Sequence, residues 1–153
     1  MPEARVWIRE SNLIEGVDDP AEDAQCLVAW TTFLKKPLDL HTIKWLHRKV
    51  MKHLRPDIAG KWRCCNVRVG FHIAPDFRQV PRLMLEWGLQ HGGAATEDAI
   101  KAAHVAFETV HPFEDGNGRT GRMIMNWQRV KAGLEPLCIK ASERQDYYRW
   151  FHD

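Results

Sequence analysis

Apolar side chains recur every three or four residues along most of this chain, which is the spacing of amphipathic helices. One such stripe runs from Ile100 through Phe107 and ends beside His111. Val6 and Leu54 are also expected to face the core. The stripes predict helices within residues 1–17, 20–35, 39–55, 80–91, 96–110, 119–132 and 142–151. The hydrophobic pattern therefore predicts a mainly α-helical fold in the form of a helical bundle.

Residues that usually begin and end helices stand at the edges of these stripes. Asp39 and Thr96 precede apolar stripes and are expected to cap the helices that follow. Ser142 and Gln145 have the spacing of a capping box. Glycines, which often end helices, follow three of the stripes: they are Gly16, Gly92 and Gly133.

One stretch departs from the helical pattern. Between Gly60 and Pro75 apolar residues such as Val67 alternate with polar ones between glycine breaks, which predicts a short β-hairpin. The charges of Lys61 and Arg63 at its start are expected to be solvated, in whole or in part.

The composition limits the classes of protein to which the chain can belong. Its 153 residues, 44% of them hydrophobic, suffice for the core of one domain, predicted to span residues 1–153. The 22 basic and 20 acidic residues leave a formal charge of +2, too balanced to indicate nucleic-acid binding. The sequence shows no signal peptide and no apolar run of membrane-spanning length. Two of the four cysteines, Cys64 and Cys65, are adjacent and the other two are scattered, without the spacing of a zinc site, which is typical of a reduced protein. We therefore expect a cytoplasmic protein with no nucleic-acid or membrane partner, delivery into another cell being the alternative.

Chemically useful residues are concentrated in the segment HPFEDGNGRTGR, residues 111–122. His111 has an ordinary pKa near neutrality, so it can take up a proton at working pH. Asp115 offers the hard oxygen ligands that Mg²⁺ prefers. Phe113 is expected to anchor the loop in the core. The segment thus combines a candidate base with a candidate metal ligand.

The second half of this segment has the features of an anion site. The glycines either side of Asn117 let the backbone N–H groups of residues 116–118 approach a ligand at the start of a helix, and the Asn117 side-chain amide could add a donor. Arg119 and Arg122 share one helix face. Two guanidinium groups in the first turn oppose the helix dipole, a cost that a bound anion would offset. These residues predict a phosphate site.

Each of these features also has a plain structural explanation. A histidine at a helix end often serves as a cap, and a glycine-rich segment often only reverses the chain. Their occurrence together at fixed offsets favours the phosphate site. Residue types alone leave open whether attack at such a site falls on the α- or the γ-phosphate of a nucleotide.

The segment is similar to the signature of Fic-domain proteins, HPFx[DE]GNGRxxR, which it matches at every specified position. The resemblance implies a Fic fold, a helical bundle with a small β-hairpin flap, here at residues 57–75. It also implies transfer of AMP from ATP, with Mg²⁺, to a Ser, Thr or Tyr hydroxyl of a target protein or of the chain itself. A related branch that phosphorylates its targets replaces the first glycine and first arginine. Because Gly116 and Arg119 are present, the resemblance favours AMP transfer.

Roles for single residues follow from the resemblance by position. It implies that His111 is the base and that Asp115 holds the metal. The remaining positions are implied to bind the phosphates of the nucleotide: they are Gly116, Asn117, Gly118, Arg119 and Arg122. The alternatives are AMP removal or transfer of UMP or GMP by the same site, and a non-catalytic nucleotide-binding regulatory module.

A second motif precedes the first: SNLIEG, residues 11–16. Ser11 and Glu15 share a helix face, and a glutamate in the last turn opposes the helix dipole, which indicates a cationic partner elsewhere. The motif resembles [ST]xxxE[GN], the inhibitory motif of self-inhibited Fic proteins. The resemblance implies that Glu15 pairs with Arg122 and displaces the γ-phosphate, within one chain or across a homodimer. In some relatives the same glutamate supports AMP removal.

Overall fold

The computed structural model describes residues 3–152, so residues 1, 2 and 153 of the predicted ranges lie outside the described residues. The helices of this part of the chain are α1 (Ala4–Ile14), α2 (Pro20–Phe33), α3 (Leu40–Met51), α4 (Val80–His91), α5 (Glu97–Val110), α6 (Asn117–Lys131) and α7 (Arg144–Tyr148). Short 3-10 turns cover Phe77–Gln79, Ala141–Glu143 and Arg149–Phe151. Strands β1 (Arg68–Val69) and β2 (His72–Ile73) pair antiparallel. The predicted mainly helical fold with one small hairpin is confirmed. Within residues 3–152, no helix combines the length and apolar character needed to cross a membrane.

Several predicted helix ends are confirmed by their capping contacts. The Asp39 carboxylate accepts the Thr42 N–H at 2.8 Å, and the Thr96 hydroxyl accepts the Ala99 N–H at 3.2 Å. Gly16 follows α1 with a left-handed backbone, a conformation that glycine adopts without a steric cost. Local capping signals therefore predicted these boundaries.

Other local predictions are wrong. Ser142 lies inside a 3-10 turn, and α7 begins at Arg144 without a side-chain cap, so the capping box is not formed. Leu54 falls beyond the end of α3 and is 42% exposed. Val6 is also exposed, because α1 turns Trp7 and Ile8 inward instead.

Helix α6 occupies the centre of the bundle. It packs against α1, α3 and α5, and eleven of its fifteen residues are buried. Helix α1 is held over the start of α6 by α2, because the rings of Trp7 and Trp30 meet edge to face at 4.8 Å. The C-terminus of α5 and the N-terminus of α6 therefore meet below α1, with residues 111–116 between them.

Candidate active site

His111 terminates α5 in a left-handed conformation, with φ 52°, and is the one non-glycine residue among those described that has a positive φ. Its backbone N–H donates to the Phe107 carbonyl at 3.0 Å, and its own carbonyl accepts from Nε of Arg63 at 2.7 Å. Burial lowers the pKa of the imidazole, so the ring is neutral at pH 7. Because Nδ1 is shielded from solvent, Nε2 is the nitrogen that a substrate proton can reach.

Asn117 closes the loop that follows His111. Its Oδ1 accepts the Phe113 N–H at 2.9 Å, and its Nδ2 donates to the Phe113 carbonyl at 2.8 Å. Both ends of the amide therefore hold the loop closed. The binding of phosphate by Asn117 stays a prediction, with its backbone N–H at the first turn of α6 as the available donor. The predicted anchoring role of Phe113 is confirmed, since its ring is fully buried.

His47 of α3 supports the same loop, a role that the sequence analysis missed. Its Nδ1 accepts the Gly60 N–H at 2.9 Å, so the proton lies on Nε2, which donates to the Asp115 carbonyl at 2.8 Å. The ring stacks on Phe113 at 3.6 Å, and burial lowers the pKa of His47 to about 4. The sequence signal was its place on the apolar face of α3, one turn after Ile43.

Gly116 and Gly118 allow close approaches that a side chain would prevent. A Cβ on Gly116 would lie 2.6 Å from Sδ of Met51, and the residue has φ 83°. A Cβ on Gly118 would overlap Oε1 of Glu15. The Glu15 carboxylate thus lies against the first turn of α6, where N–H groups have no partner within the helix and favour an anion.

A cavity of about 210 Å³ opens beside this turn. Its lining includes Glu15, His111, Asp115, Gly118 and Arg119. The structure therefore brings the candidate base, the candidate metal ligand and the anion-binding turn to one cavity.

Arg122 is buried and is held by α1. Its Nε donates to Oγ of Ser11 at 2.7 Å, and Nη2 donates to the Ser11 carbonyl at 3.0 Å and to Oε1 of Glu15 at 2.7 Å. Nη1 donates to the Tyr147 hydroxyl at 3.2 Å. The contact expected between Glu15 and Arg122 is present, and it forms within one chain.

Arg119 is buried under the same helix but has different partners. Its Nε donates to Oδ1 of Asn12 at 2.8 Å, Nη2 lies 3.3 Å from the Cys26 sulfur, and the Glu22 carboxylate is 3.6 Å away. The Asn12 amide is oriented by donating to Asp23 at 2.7 Å. Asn12 lies on the face of α1 that carries Glu15, and its contact was not predicted. The two arginines therefore do not form an open clamp in this structure.

Two further charged residues near the site escaped the sequence analysis. Arg63 is 4% exposed and binds carbonyl groups, so the expectation of a solvated charge is wrong for this residue. Glu108 of α5 points Oε1 into a shielded space that Gly121 leaves open, since a Cβ there would lie 2.5 Å away. Burial raises the pKa of Glu108 to about 7. Neither position carries a local sequence signal.

The residues present suit a magnesium ion that is bound partly by a protein carboxylate and partly by the oxygens of a phosphate ligand. Among residues 3–152, no group of three or more His, Cys, Asp or Glu is arranged to hold a metal. Asp115 is exposed, and its Oδ1 accepts the Gly116 N–H at 2.8 Å, which orients the carboxylate at the cavity. Mg²⁺ commonly binds one or two carboxylates together with substrate phosphates, so this single carboxylate fits.

Comparison with known proteins places these features in a family. The sequence profile of the Fic/DOC family matches residues 37–128, which include α3, the hairpin, α4, α5 and most of α6. The protein adenylyltransferase Fic of Nematostella vectensis is 30% identical over 152 residues, covering 95% of this chain and 34% of that protein. The protein of the same name from Drosophila melanogaster is 35% identical over 121 residues, covering 76% of this chain and 25% of that protein.

Solved structures show the same fold. A Fic family protein from Desulfovibrio desulfuricans G20 aligns with a TM-score of 0.78 at 24% identity, covering 96% of this chain and 55% of that one. Fic-1 from C. elegans aligns with a TM-score of 0.76 at 22% identity, covering 99% of this chain and 56% of that one. The predicted Fic fold is confirmed. The chain spans about a third or less of the length of the curated relatives cited above.

Proposed function

Since the chain belongs to the Fic/DOC family, we propose that it is a protein adenylyltransferase that transfers AMP from ATP to a hydroxyl group of a target protein. One observation carries the proposal: His111, Asp115 and the first turn of α6 line a single cavity. Relatives that share 30% and 35% of their aligned residues with this chain are called protein adenylyltransferases, which supports the same activity here.

The chain's own residues supply the base and the positioning that this reaction needs. The target's hydroxyl oxygen attacks the α-phosphorus of ATP, a new P–O bond forms, and the bond to the pyrophosphate oxygen breaks. The hydroxyl proton passes to Nε2 of His111, which burial keeps neutral and ready to accept it. The N–H groups at the start of α6 and the Arg119 guanidinium stabilise the phosphate charge. Mg²⁺ held by Asp115 would neutralise further phosphate charge.

The hairpin is proposed to align the target. Strands β1 and β2 form a two-stranded ribbon, so within the described residues 3–152 each keeps one edge without a strand partner. Val69, Phe71 and Ile73 of the hairpin are exposed, Phe71 completely. An extended segment of a target protein can add to such an edge through main-chain hydrogen bonds.

Glu15 is proposed to inhibit the transfer. Its carboxylate lies over Gly118, at the place where a phosphate would meet the helix N-terminus, and it binds Arg122. A carboxylate there competes with phosphate for the same N–H groups and the same cation. Removing the carboxylate would free both for the nucleotide.

The experiment compares the wild type, Glu15→Gly and the double variant Glu15→Gly, His111→Ala with ATP labelled on the α-phosphate and Mg²⁺. Self-labelling and labelling of a lysate are the readouts. We expect strong labelling only with Glu15→Gly, at least tenfold above the wild type, because about 1.4 kcal/mol of lost inhibition already gives a factor of ten. The double variant lacks the base and should not label.

A parallel reaction with ATP labelled on the γ-phosphate provides the control for phosphate transfer. Label from the γ-position instead of the α-position would contradict AMP transfer. Equal labelling by Glu15→Gly with and without His111 would contradict the assignment of the base.

A further inference from the structure

The Arg63 side chain is buried and bonded to backbone carbonyl groups. Nε donates to the His111 carbonyl at 2.7 Å, Nη1 donates to the Cys65 carbonyl at 3.0 Å, and Nη2 donates to the carbonyls of Pro75 and, at 3.2 Å, Val110. Its exposure is 4%. A buried guanidinium whose hydrogen bonds end on main-chain oxygens holds segments of backbone together.

These carbonyls belong to three separate segments. Cys65 precedes β1 and Pro75 follows β2, so Arg63 ties together the two ends of the hairpin. Val110 and His111 are at the C-terminus of α5, where carbonyls lack helical partners and favour a cation. The backbone N–H of Arg63 also donates to the Pro112 carbonyl at 2.9 Å. One residue thus connects both stems of the hairpin to the two sides of His111.

We propose that Arg63 is a positioning residue that fixes the position of the hairpin, the predicted flap, relative to His111. A target hydroxyl aligned on the hairpin then meets the imidazole. The inference rests on the proposed function, because it assumes that His111 is the base and that the hairpin aligns the target. It extends that function by assigning the alignment to a residue outside the signature segment. Because the Arg63 side chain is buried and bound to backbone carbonyls, its part is indirect.

Arginine suits this role better than lysine. The planar guanidinium has five N–H groups in a fixed fork and uses four of them here, whereas an ammonium has three. A lysine at this position would keep the charge but could not reach all four carbonyls. Arg63→Lys therefore removes the fork geometry but keeps the charge, whereas Arg63→Met removes both.

The charge of Arg63 also acts on the base. Burial is the main cause of the lowered pKa of His111, and the positive charge of Arg63 lowers it further. Of the other groups that face the ring, His72 of β2 lowers the pKa, whereas the Glu108 carbonyl of α5 and the Glu15 carboxylate beyond α1 raise it. Removing only the Arg63 charge should raise the pKa of His111, so the base becomes protonated at a higher pH.

The test uses Glu15→Gly as the parent and adds Arg63→Lys, Arg63→Met or, as a matched control, Arg82→Met. Arg82 is an exposed arginine of α4, outside the hairpin, and its guanidinium binds Gln79 and Glu86. Three quantities are measured: the labelling rate per folded molecule as a function of pH, the melting temperature, and the His111 pKa by NMR, assigned with His111→Ala.

We expect both Arg63 variants to label more slowly, by about 10²-fold if the base and the hydroxyl move apart by about 1 Å. In Arg63→Met the acidic limb of the pH profile and the His111 titration should both move to higher pH. In Arg63→Lys the acidic limb should stay in place, and Arg82→Met should match the parent. If Arg63→Met does not fold, the slow rate and unshifted limb of Arg63→Lys decide the question.

The inference is overturned if both Arg63 variants melt earlier but label at the parental rate per folded molecule with an unshifted limb, since that result describes a purely structural residue. Failure of the proposed function looks different, because then the parent itself does not label. In that case the His111 titration in the Arg63 variants still tests the inference without turnover.

Discussion

At the scale of single residues, the site is built by side chains that bind backbone. Asn117 closes on Phe113, His47 joins Gly60 to Asp115, and Arg63 ties down the carbonyl of His111. A loop without regular structure has main-chain donors and acceptors that burial would leave unpaired. These side chains supply the missing partners, which is why the loop can be both irregular and buried.

Asn117→Ala should destabilise the fold markedly. It would leave the N–H and carbonyl of Phe113 buried without partners, at about 1–3 kcal/mol for each group. We expect the free energy of unfolding, measured by urea denaturation, to fall by about 2–6 kcal/mol. Asn66→Ala is the control, because exposed Asn66 also binds a backbone N–H, that of Phe77. Equal losses in the two variants would contradict the structural role of Asn117.

At the scale of elements, α1 and α6 form the pair on which the proposed inhibition depends. Trp7, Ile8 and Ile14 bury the apolar side of α1, so the helix stays docked whichever polar contacts it makes. At about 1.5–3 kcal/mol for each large apolar side chain, this burial outweighs a single hydrogen bond. Substitutions of the polar residues of α1 should therefore change the contacts of Arg119 and Arg122 without detaching the helix.

Ser11→Ala should release part of the proposed inhibition. It removes one of the acceptors of Arg122, while the Ser11 carbonyl and Glu15 remain. A hydrogen bond to a charged group contributes about 1.5–3 kcal/mol, so the hold on Arg122 weakens without being lost. In the α-phosphate labelling assay we expect activity between those of the wild type and Glu15→Gly.

Ser142→Ala, at an exposed serine outside α1, provides the matched control and should behave as the wild type. Labelling by Ser11→Ala at the wild-type level, with an unchanged melting temperature, would show that this hydroxyl does not contribute to inhibition.

At the scale of the whole molecule, buried ionisable groups make stability depend on pH in opposite directions. Burial lowers the pKa of His47 to about 4 and that of His104 to about 3. Between these values and the ordinary 6.5, the unfolded state binds more protons, so stability falls as pH falls. Glu108, raised to about 7, binds more protons when folded, so its contribution falls as pH rises above 4.5. Because two histidines lower the stability towards acid and one carboxyl raises it, the net free energy of unfolding falls as the pH falls.

His47→Gln should reduce this pH dependence. From pH 7 to pH 5 the depressed pKa of His47 accounts for about 2 kcal/mol of lost stability, at 1.36 kcal/mol per pKa unit. Urea denaturation at both pH values should show the difference in unfolding free energy shrink by about that amount. His41→Gln, at an exposed histidine of the same helix, should leave the difference unchanged. If the His47→Gln variant keeps the full pH dependence, groups other than His47 cause the loss of stability.

Local sequence patterns predicted most of the elements and the segment that carries the candidate chemistry. The observed limits of α4 agree with those predicted, and α5 begins after its predicted cap, Thr96, because periodicity, caps and glycine stops act over a few residues. The hairpin was also predicted from a local pattern, the alternation of apolar and polar residues between glycines. The signature segment could be predicted to bind phosphate because its candidate donors and its candidate base are adjacent in the chain.

The packing of distant helices was needed to show which polar residues are buried and what they bind. Helix α6 is mostly polar but is enclosed on most sides, because its arginines meet Asn12 and Glu15, each 107 residues away in the chain. The contact with Glu15 followed from a family resemblance. The contacts of Asn12 and Arg63 had no local signal, and the place of His47 on the apolar face of α3 indicated its burial but not its partners. Burial of a polar group is stable only when its partner is in place, and that partner is chosen by how distant helices pack.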